Sequence, residues 1–275
     1  MIDWTRGYEC TWRFSQVDIA TWASMRSVGN VTTASYSADS STDSVETATL
    51  SCVLPYTEEM PSGWLRIEGL ITQGASSSVI TVATLNFTPE TARWAGGMRT
   101  DSLRGVSGMQ PAGESGTKMK DGVWAAKDSD GVRQISKLLG EYTPAPIVAY
   151  GTFSMPRQVV FDLDSTPLSV VKSMLNTAGW IARPNGFGEI ELLPKPAKPI
   201  ADFGSEDKGL FRSTASSDSN GRITYTRAWE PNLKVWDVFT ASLPEIGLDG
   251  TYRVYSQRIT CGNGISVEET VEEVL

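Results

Sequence analysis

Between Val159 and Leu193 the chain offers three elements in order, each with its own punctuation, and whatever lies on either side must be arranged around them. Val159, Val160 and Phe161 form an apolar, β-branched run that predicts a strand. Thr166 then places a capping oxygen directly before Pro167, whose fixed φ and missing N–H suit a first helical turn. Leu168, Val171, Leu175 and Ala178 recur at helical spacing as one apolar stripe, with Ser169, Lys172, Ser173 and Asn176 opposite. Gly179 supplies the stop. A second strand begins at Trp180 and Ile181, Pro184-Asn185-Gly186 turns the chain, and Glu189-Ile190-Glu191-Leu192 alternates as a half-exposed strand does. On that pattern Ile190 and Leu192 share a buried face and the glutamates face water.

The flanking sequence is written for strands. In the first ninety residues Thr11 to Phe14, Val45 to Val53, Trp64 to Leu70 and Val79 to Phe87 fit an antiparallel barrel or sandwich, with Ala48, Leu50, Cys52 and Leu54 on one face of theirs. From Arg93 to Val123 seven glycines break any period, which predicts a long loop or an arm. Asp128-Ser129-Asp130 can cap a second short helix with Val132, Ile135, Leu138 and Leu139 on one face and Gly140 at its end. The proline-rich Leu192 to Pro199 reads as a stiff connection. Beyond it Arg222 to Thr226, Val235 to Ala241, Thr251 to Thr260 and Ile265 to Val274 are strands again, separated by turns at Asn220-Gly221 and Gly262-Asn263-Gly264. The expected class is mainly β with a small α/β part, divided as 1–108, 109–200 and 201–275.

Several chemistries can be tested against this order. Asp162 to Thr166 resembles the first motif of haloacid dehalogenase-type phosphatases, in which the first aspartate is a nucleophile and the second a general acid. Ser165 stands where that family has glycine, and no paired acidic metal motif follows, so a strand end and a capped helix is the preferred reading. Gly108 to Ser115 has the glycine spacing of a phosphate loop, but Glu114 replaces its lysine and would repel phosphate. There is no histidine, which removes Ser-His-Asp and Cys-His catalysis, and Cys10, Cys52 and Cys261 are too widely spaced for a zinc site. No catalytic, cofactor-binding or metal residue and no cofactor is therefore expected. A formal charge of −8 argues against a protein that grips nucleic acid. No run approaches the roughly eighteen apolar residues of a membrane helix, and the opening MIDWTRGYEC lacks an export signal, so neither membrane insertion nor secretion is expected.

With these residues in view, the chain resembles the bacteriophage tail hub proteins that form a ring at the tail tip and have counterparts in contractile injection machines. The resemblance rests on the helix PLSVVKSMLNTAGW with the hairpin IARPNGFGEIELLP, then on Pro231 to Phe239 and Gly247 to Val254, then on the terminal glycine turn and alternating strand. Trp236 departs from the family's usual proline or glycine before Asp237. The resemblance implies a structural virion protein, not an enzyme: two tube-like antiparallel β-barrels flanking a mixed α/β middle domain, with three chains closing into a ring. It further implies contacts with the distal tail or tail tube protein, the tape measure protein and a tip or fibre protein, and a channel through which DNA passes unbound. Such a protein is assembled in the host cytoplasm and resides at the virion tail tip. The alternative is the related distal tail protein, a hexameric ring. Two residue groups would then be engaged. Glu268, Glu269, Glu272 and Glu273 would line the channel or else solubilise an exposed end of the chain, and among nine tryptophans Trp4, Trp12, Trp22, Trp64, Trp94, Trp229 and Trp236 would serve subunit contacts or the core.

Overall fold

The computed structural model describes residues 2–28, 31–39, 47–55, 62–114, 116–120, 124–213, 216–262 and 264–274, with the backbone alone at 32, 47–55, 95 and 124. Seven strands come first: β1 (Glu9–Val17), β2 (Ser24–Val28), β3 (Val31–Asp39), β4 (Thr47–Pro55), β5 (Gly63–Gln73), β6 (Ser76–Ala95) and β7 (Met98–Val106). A mixed stretch follows, with α1 (Gln110–Gly113), β8 (Trp124–Ala125), α2 (Gly131–Gly140), β9 (Ile147–Ala149), β10 (Val159–Val160), α3 (Pro167–Ala178), β11 (Trp180–Pro184) and β12 (Ile190–Pro194). The chain closes with β13 (Ala201–Phe203), β14 (Ser216–Ser217), β15 (Ile223–Arg227), β16 (Val238–Leu243), β17 (Leu248–Cys261) and β18 (Ile265–Glu273).

Strands from both ends of the chain are hydrogen-bonded into one sheet. Its main path runs β14-β15-β18-β17-β3-β4-β7-β6-β5-β1-β2, with β16 beside β17 and β13 beside β16. The join is β17, whose one edge carries β18 while the other carries β16 along Leu248–Arg253 and β3 along Ser256–Cys261. A register shift between Val254 and Ser256 lies where the neighbour changes. The sheet curls as a half-barrel around one apolar core that draws Phe14, Leu65, Ile67 and Phe87 from one end and Phe203, Phe239, Val254 and Val267 from the other. Across the seam, Trp12 Nε1 donates to the Gly262 carbonyl at 2.8 Å, and Tyr8 Oη both donates to the carbonyl and accepts from the N–H of Ile265.

The first part of the stretch read as a glycine-rich loop or arm, up to Val106, is a strand hairpin. β6 runs on to Ala95 and turns through Gly96 and Gly97, both at positive φ, into β7, which pairs with β4. Glycine at 105 serves close packing, because a Cβ there would lie 2.5 Å from the Phe87 ring. The face assigned to Ala48, Leu50, Cys52 and Leu54 falls on residues whose side chains lie outside the described ones.

The second core belongs to the middle stretch. α3 spans Pro167–Ala178 as its signals dictate: Thr166 Oγ1 accepts from the Ser169 N–H at 3.2 Å, and Gly179 ends the helix at φ +70°. Its buried side is wider than one stripe, adding Val170 and Met174 to Leu168, Val171 and Leu175, because α2 and β11 pack against adjacent faces. In α2 the Asp130 carboxylate caps Arg133, and Ile135, Leu138 and Leu139 are buried. β9 and β11 flank β12 in a three-stranded sheet. No helix among the described residues is long and apolar enough to cross a membrane.

A charge placed on α3 tests these faces. Leu175→Asp buries a carboxylate without a partner and should destabilise the protein by several kcal/mol, enough to abolish soluble expression. Lys172→Asp, on the exposed side, should express and unfold in urea close to the wild type.

Candidate functional site

The hairpin β11–β12 is where the two cores are tied together, and its polar residues carry the tie. Arg183 and Glu191 face each other across the hairpin. Alternation predicts a solvated Glu191, yet its side chain is 6% exposed. Charged groups from two sources close over it: Arg183 Nε donates to Glu191 Oε2 at 3.2 Å, and Lys234 Nζ reaches both carboxylate oxygens at 3.3 and 3.4 Å. The other arm of the Arg183 fork donates to Asp237 Oδ1 at 2.7 Å and to the Val235 carbonyl at 2.9 Å. Burial pushes the Glu191 carboxyl up, but Lys234 and Arg183 together outweigh it and hold the group below the usual glutamate range. Burial likewise disfavours the Arg183 cation, and Asp237 and Glu191 more than compensate.

At its tip the same hairpin is pressed onto the sheet. A Cβ on Gly186 would sit 2.7 Å from the Thr81 carbonyl oxygen, and one on Gly188, at φ +79°, 2.8 Å from that of Thr84. Only glycine lets backbone meet backbone this closely. Thr84 Oγ1 donates to the Gly186 carbonyl at 3.0 Å and accepts from Arg66 Nε at 3.1 Å; Arg66 also donates to the Trp22 carbonyl and to Ser24. Trp22 Nε1 completes the clasp by donating to the Phe187 carbonyl at 2.7 Å. The hairpin main chain thus meets β6 and the β1–β2 turn on one side, while its side chains reach residues 234–237 on the other.

A second charged cluster lies in the main core. Arg227 and Glu269, both fully buried, meet in a two-pronged pair at 2.8 and 2.6 Å. Tyr225 donates to Glu269 Oε2 and Gln257 to Oε1, while the remaining Arg227 nitrogen donates to the carbonyls of Ala228 and Trp229. Burial and the adjacent carboxylate hold the Tyr225 phenol well above its ordinary range, and Glu269 keeps Arg227 charged against the pull of burial. Gln257 also donates to the Leu233 carbonyl at 2.8 Å. Together the clusters satisfy the carbonyls of residues 228, 229, 233 and 235, which would otherwise lie unpaired inside the protein.

This corrects the acidic channel wall expected from β18. Alternation points Glu269 inward with Val267 and Val271, so it pairs with Arg227 and cannot line a channel. Glu268 and Glu273 are exposed, Glu272 bonds Arg253, and Arg258 stands opposite Glu268. Among the tryptophans, Trp4, Trp64 and Trp229 are buried within the chain, Trp12 and Trp22 are half-buried, and Trp94 is 58% exposed near the β6–β7 turn. Trp236 is half-buried with φ +79°, its backbone N–H donating to the Val254 carbonyl while its indole nitrogen has no hydrogen-bond partner.

Asp162 and Asp164 lie on an exposed turn in which Asp162 Oδ1 accepts the Asp164 N–H and Asp164 pairs with Lys118. That ion pair holds the Asp164 carboxyl below its usual range. The strand before them, β10, is two residues long and pairs antiparallel with β8, whereas the phosphatase motif needs the carboxyl end of a strand in a parallel sheet. Gly108 and Met109 form a buried turn into α1, with Gly108 against Ala145, and Glu114 at the far end of that stretch is exposed. Cys261 is buried and Cys10 half-buried, and burial raises the Cys10 thiol to about 11. Among the described residues no group of three or more acidic or cysteine side chains could hold a metal ion. Sequence reasoning missed Arg183, Lys234, Arg227 and Gln257; the signal was a polar or charged residue among the apolar ones of each strand or loop.

Removing one member of the joint should be costly. Arg183→Met strands two buried carboxylates and is expected to lose about 3–5 kcal/mol in urea unfolding. Because the folded Glu191 pKa is lowered, its contribution is complete above the unfolded value of roughly 4.3 and disappears as pH falls through the folded value. The stability gap between wild type and Glu191→Gln should therefore be flat above about pH 5.5 and shrink toward acid; a gap that widens on acidification would contradict this.

The architecture has known relatives. A tail protein from Neisseria meningitidis MC58 superposes with a TM-score of 0.65 at 11% identity, covering 98% of this chain and 97% of that one. The tail protein of prophage MuSo2 from Shewanella oneidensis matches at TM-score 0.62 and 10% identity, over 96% of this chain and 98% of its own. An E. coli component of the type VI secretion system, itself structurally similar to tail proteins of bacteriophage T4, matches at TM-score 0.57 and 9% identity, over 91% of this chain and 75% of that. No family model and no curated protein sequence matches the chain. The fold is that of phage tail proteins, and it spans nearly the whole chain.

Proposed function

We propose that this chain is a structural, non-enzymatic tail component that forms the hub ring at the distal end of a bacteriophage-type tail. The observation that carries the reading is the joining of both chain ends into one curled sheet, in an architecture shared with tail proteins over 98% of the chain. In this reading 1–108 and 201–275 each supply a barrel-like unit, 109–200 is the middle domain that holds them at a set angle, and three chains close a ring with six similar units. One face of the ring meets the tail tube or distal tail ring, the other a tip or fibre, and the tape measure protein and then DNA occupy the channel. The ring is assembled in the host cytoplasm and carried at the virion tail tip. The joint built on Arg183, Gly186 and Arg66 suits a part that must keep its shape under load, since its hydrogen bonds run in several directions.

Glu268 and Glu272 of β18 have arginines opposite or bonded to them, while Glu273 stands opposite Tyr252, which supports a wall of modest charge. Duplex DNA should slide past such a wall without displacing counterions. The phosphatase reading has little support from an aspartate pair on an open turn, and the hexameric distal tail ring is separated from the hub by subunit number.

Mass photometry of the purified protein is expected to give a trimer, and a strictly monomeric or hexameric mass would reject the hub. Duplex DNA should not be retarded by it at low salt. Magnesium-dependent hydrolysis of p-nitrophenyl phosphate that is lost in Asp162→Asn would replace the structural reading with a catalytic one.

A further inference from the structure

The seam that ties the two ends of the chain to each other also brings two thiols together. β2 pairs with β1 only from Phe14 onward, and before that point side chains connect β1 to the end of the β17–β18 hairpin. Tyr8, Cys10 and Trp12 follow one another at intervals of two in extended chain, so their side chains leave the same face. Tyr8 holds Ile265 and Trp12 holds the Gly262 carbonyl, which leaves Cys10 between two residues that already grip the hairpin. Cys261 is bracketed in the same way, as chain neighbour of Gly262 and ladder partner of Ile265. Its side chain is buried in the apolar core against which Cys10 packs. The two sulfurs lie within electrostatic reach: burial raises the Cys261 thiol, and a charge on Cys10 pushes it further up.

We propose that Cys10 and Cys261 form a reversible redox clasp across the seam, closed into a disulfide by a small-molecule disulfide such as oxidised glutathione. In the first step the Cys10 thiolate attacks one sulfur of the oxidant, which forms a mixed disulfide and releases one glutathione thiolate. In the second the Cys261 thiolate attacks the Cys10 sulfur and releases the other. Two protein thiols are oxidised, the oxidant is reduced to two glutathione thiols, and these take up the protons that the cysteines lose. The order follows from burial, since Cys10 is the more open of the pair. Burial also keeps both thiols protonated near neutral pH, so the pair stays reduced until an oxidant is supplied. Once formed, the bond closes almost the whole chain into one loop and makes the seam covalent. A chain made in a reducing cytoplasm would acquire the clasp on release into an oxidising medium. That consequence rests on the tail role proposed above, whereas the bond itself does not.

The full chain, first reduced and then held with excess oxidised glutathione at about pH 8, tests the clasp. Thiol titration in denaturant should fall from three groups to one, and peptide mapping without reductant should find Cys10 joined to Cys261. Cys52→Ser should form the same bond, whereas Cys10→Ser and Cys261→Ser should not. The oxidised protein should melt roughly 5 °C or more above the reduced one, and dithiothreitol should return it to the lower midpoint. Because Cys10 is half-buried, Cys10→Ser should fold, and its midpoint should not respond to the oxidant. Retention of all three thiols, a glutathione left on Cys10 without transfer, a bond from either cysteine to Cys52, or a Cys10–Cys261 bond that fails to raise the midpoint would each overturn the proposal.

Discussion

A guanidinium taken out of water must be given its partners at once, and for Arg183 those partners come from different parts of the chain. Glu191 lies across its own hairpin, whereas Asp237 and the Val235 carbonyl belong to the loop entering β16. The planar fork accepts few orientations, so the hairpin and the loop must meet at one angle. Such a pair adds little net stability over an apolar contact, because desolvation consumes most of the attraction. What it adds is a steep penalty on every other arrangement. Two glycines reinforce the constraint at the hairpin tip, where the sheet backbone leaves no room for a Cβ.

The loop from Ala228 to Asp237 shows the same logic from the other side. Loops ordinarily stay at the surface because water satisfies their backbone. Here Arg227 serves two carbonyls, Gln257 a third and Arg183 a fourth, while Asp237 Oδ2 accepts the Lys234 N–H. An acidic protein thus keeps two of its arginines inside, each bound to carboxylate and to main chain. The cost of their burial is offset by the carbonyls of residues 228, 229, 233 and 235, which find partners between two cores.

Much of the local structure was legible in the sequence where signals are short-range. Thr166, Pro167 and Gly179 delimit α3, and Asp130 and Gly140 delimit α2, because caps act within one turn. Strands with clean alternation were equally plain. What could not be read was anything set by a distant partner. β7 was hidden by its glycines, which pack against Phe87 and turn the hairpin without breaking the strand. Glu191 and Glu269 look solvated by residue type, and only the approach of Arg183, Lys234 and Arg227 makes burial possible. Val235 to Asp237 scored as strand on apolar content, yet Trp236 takes a left-handed conformation and the strand begins at Val238. The joining of both chain ends through β17 lies beyond any local pattern, since Ser256 and Asp39 are far apart in sequence.

That shared strand also determines how force would travel. β17 is one covalent piece with β16 and β3 laid end to end along one edge and β18 along the other. A pull parallel to it loads many hydrogen bonds sideways and together, whereas a pull across it would open them one after another like a zipper. Tension entering through β3 therefore reaches β16 through an unbroken main chain, without crossing a side-chain interface. A component built this way yields least along the direction of β17 and most across it.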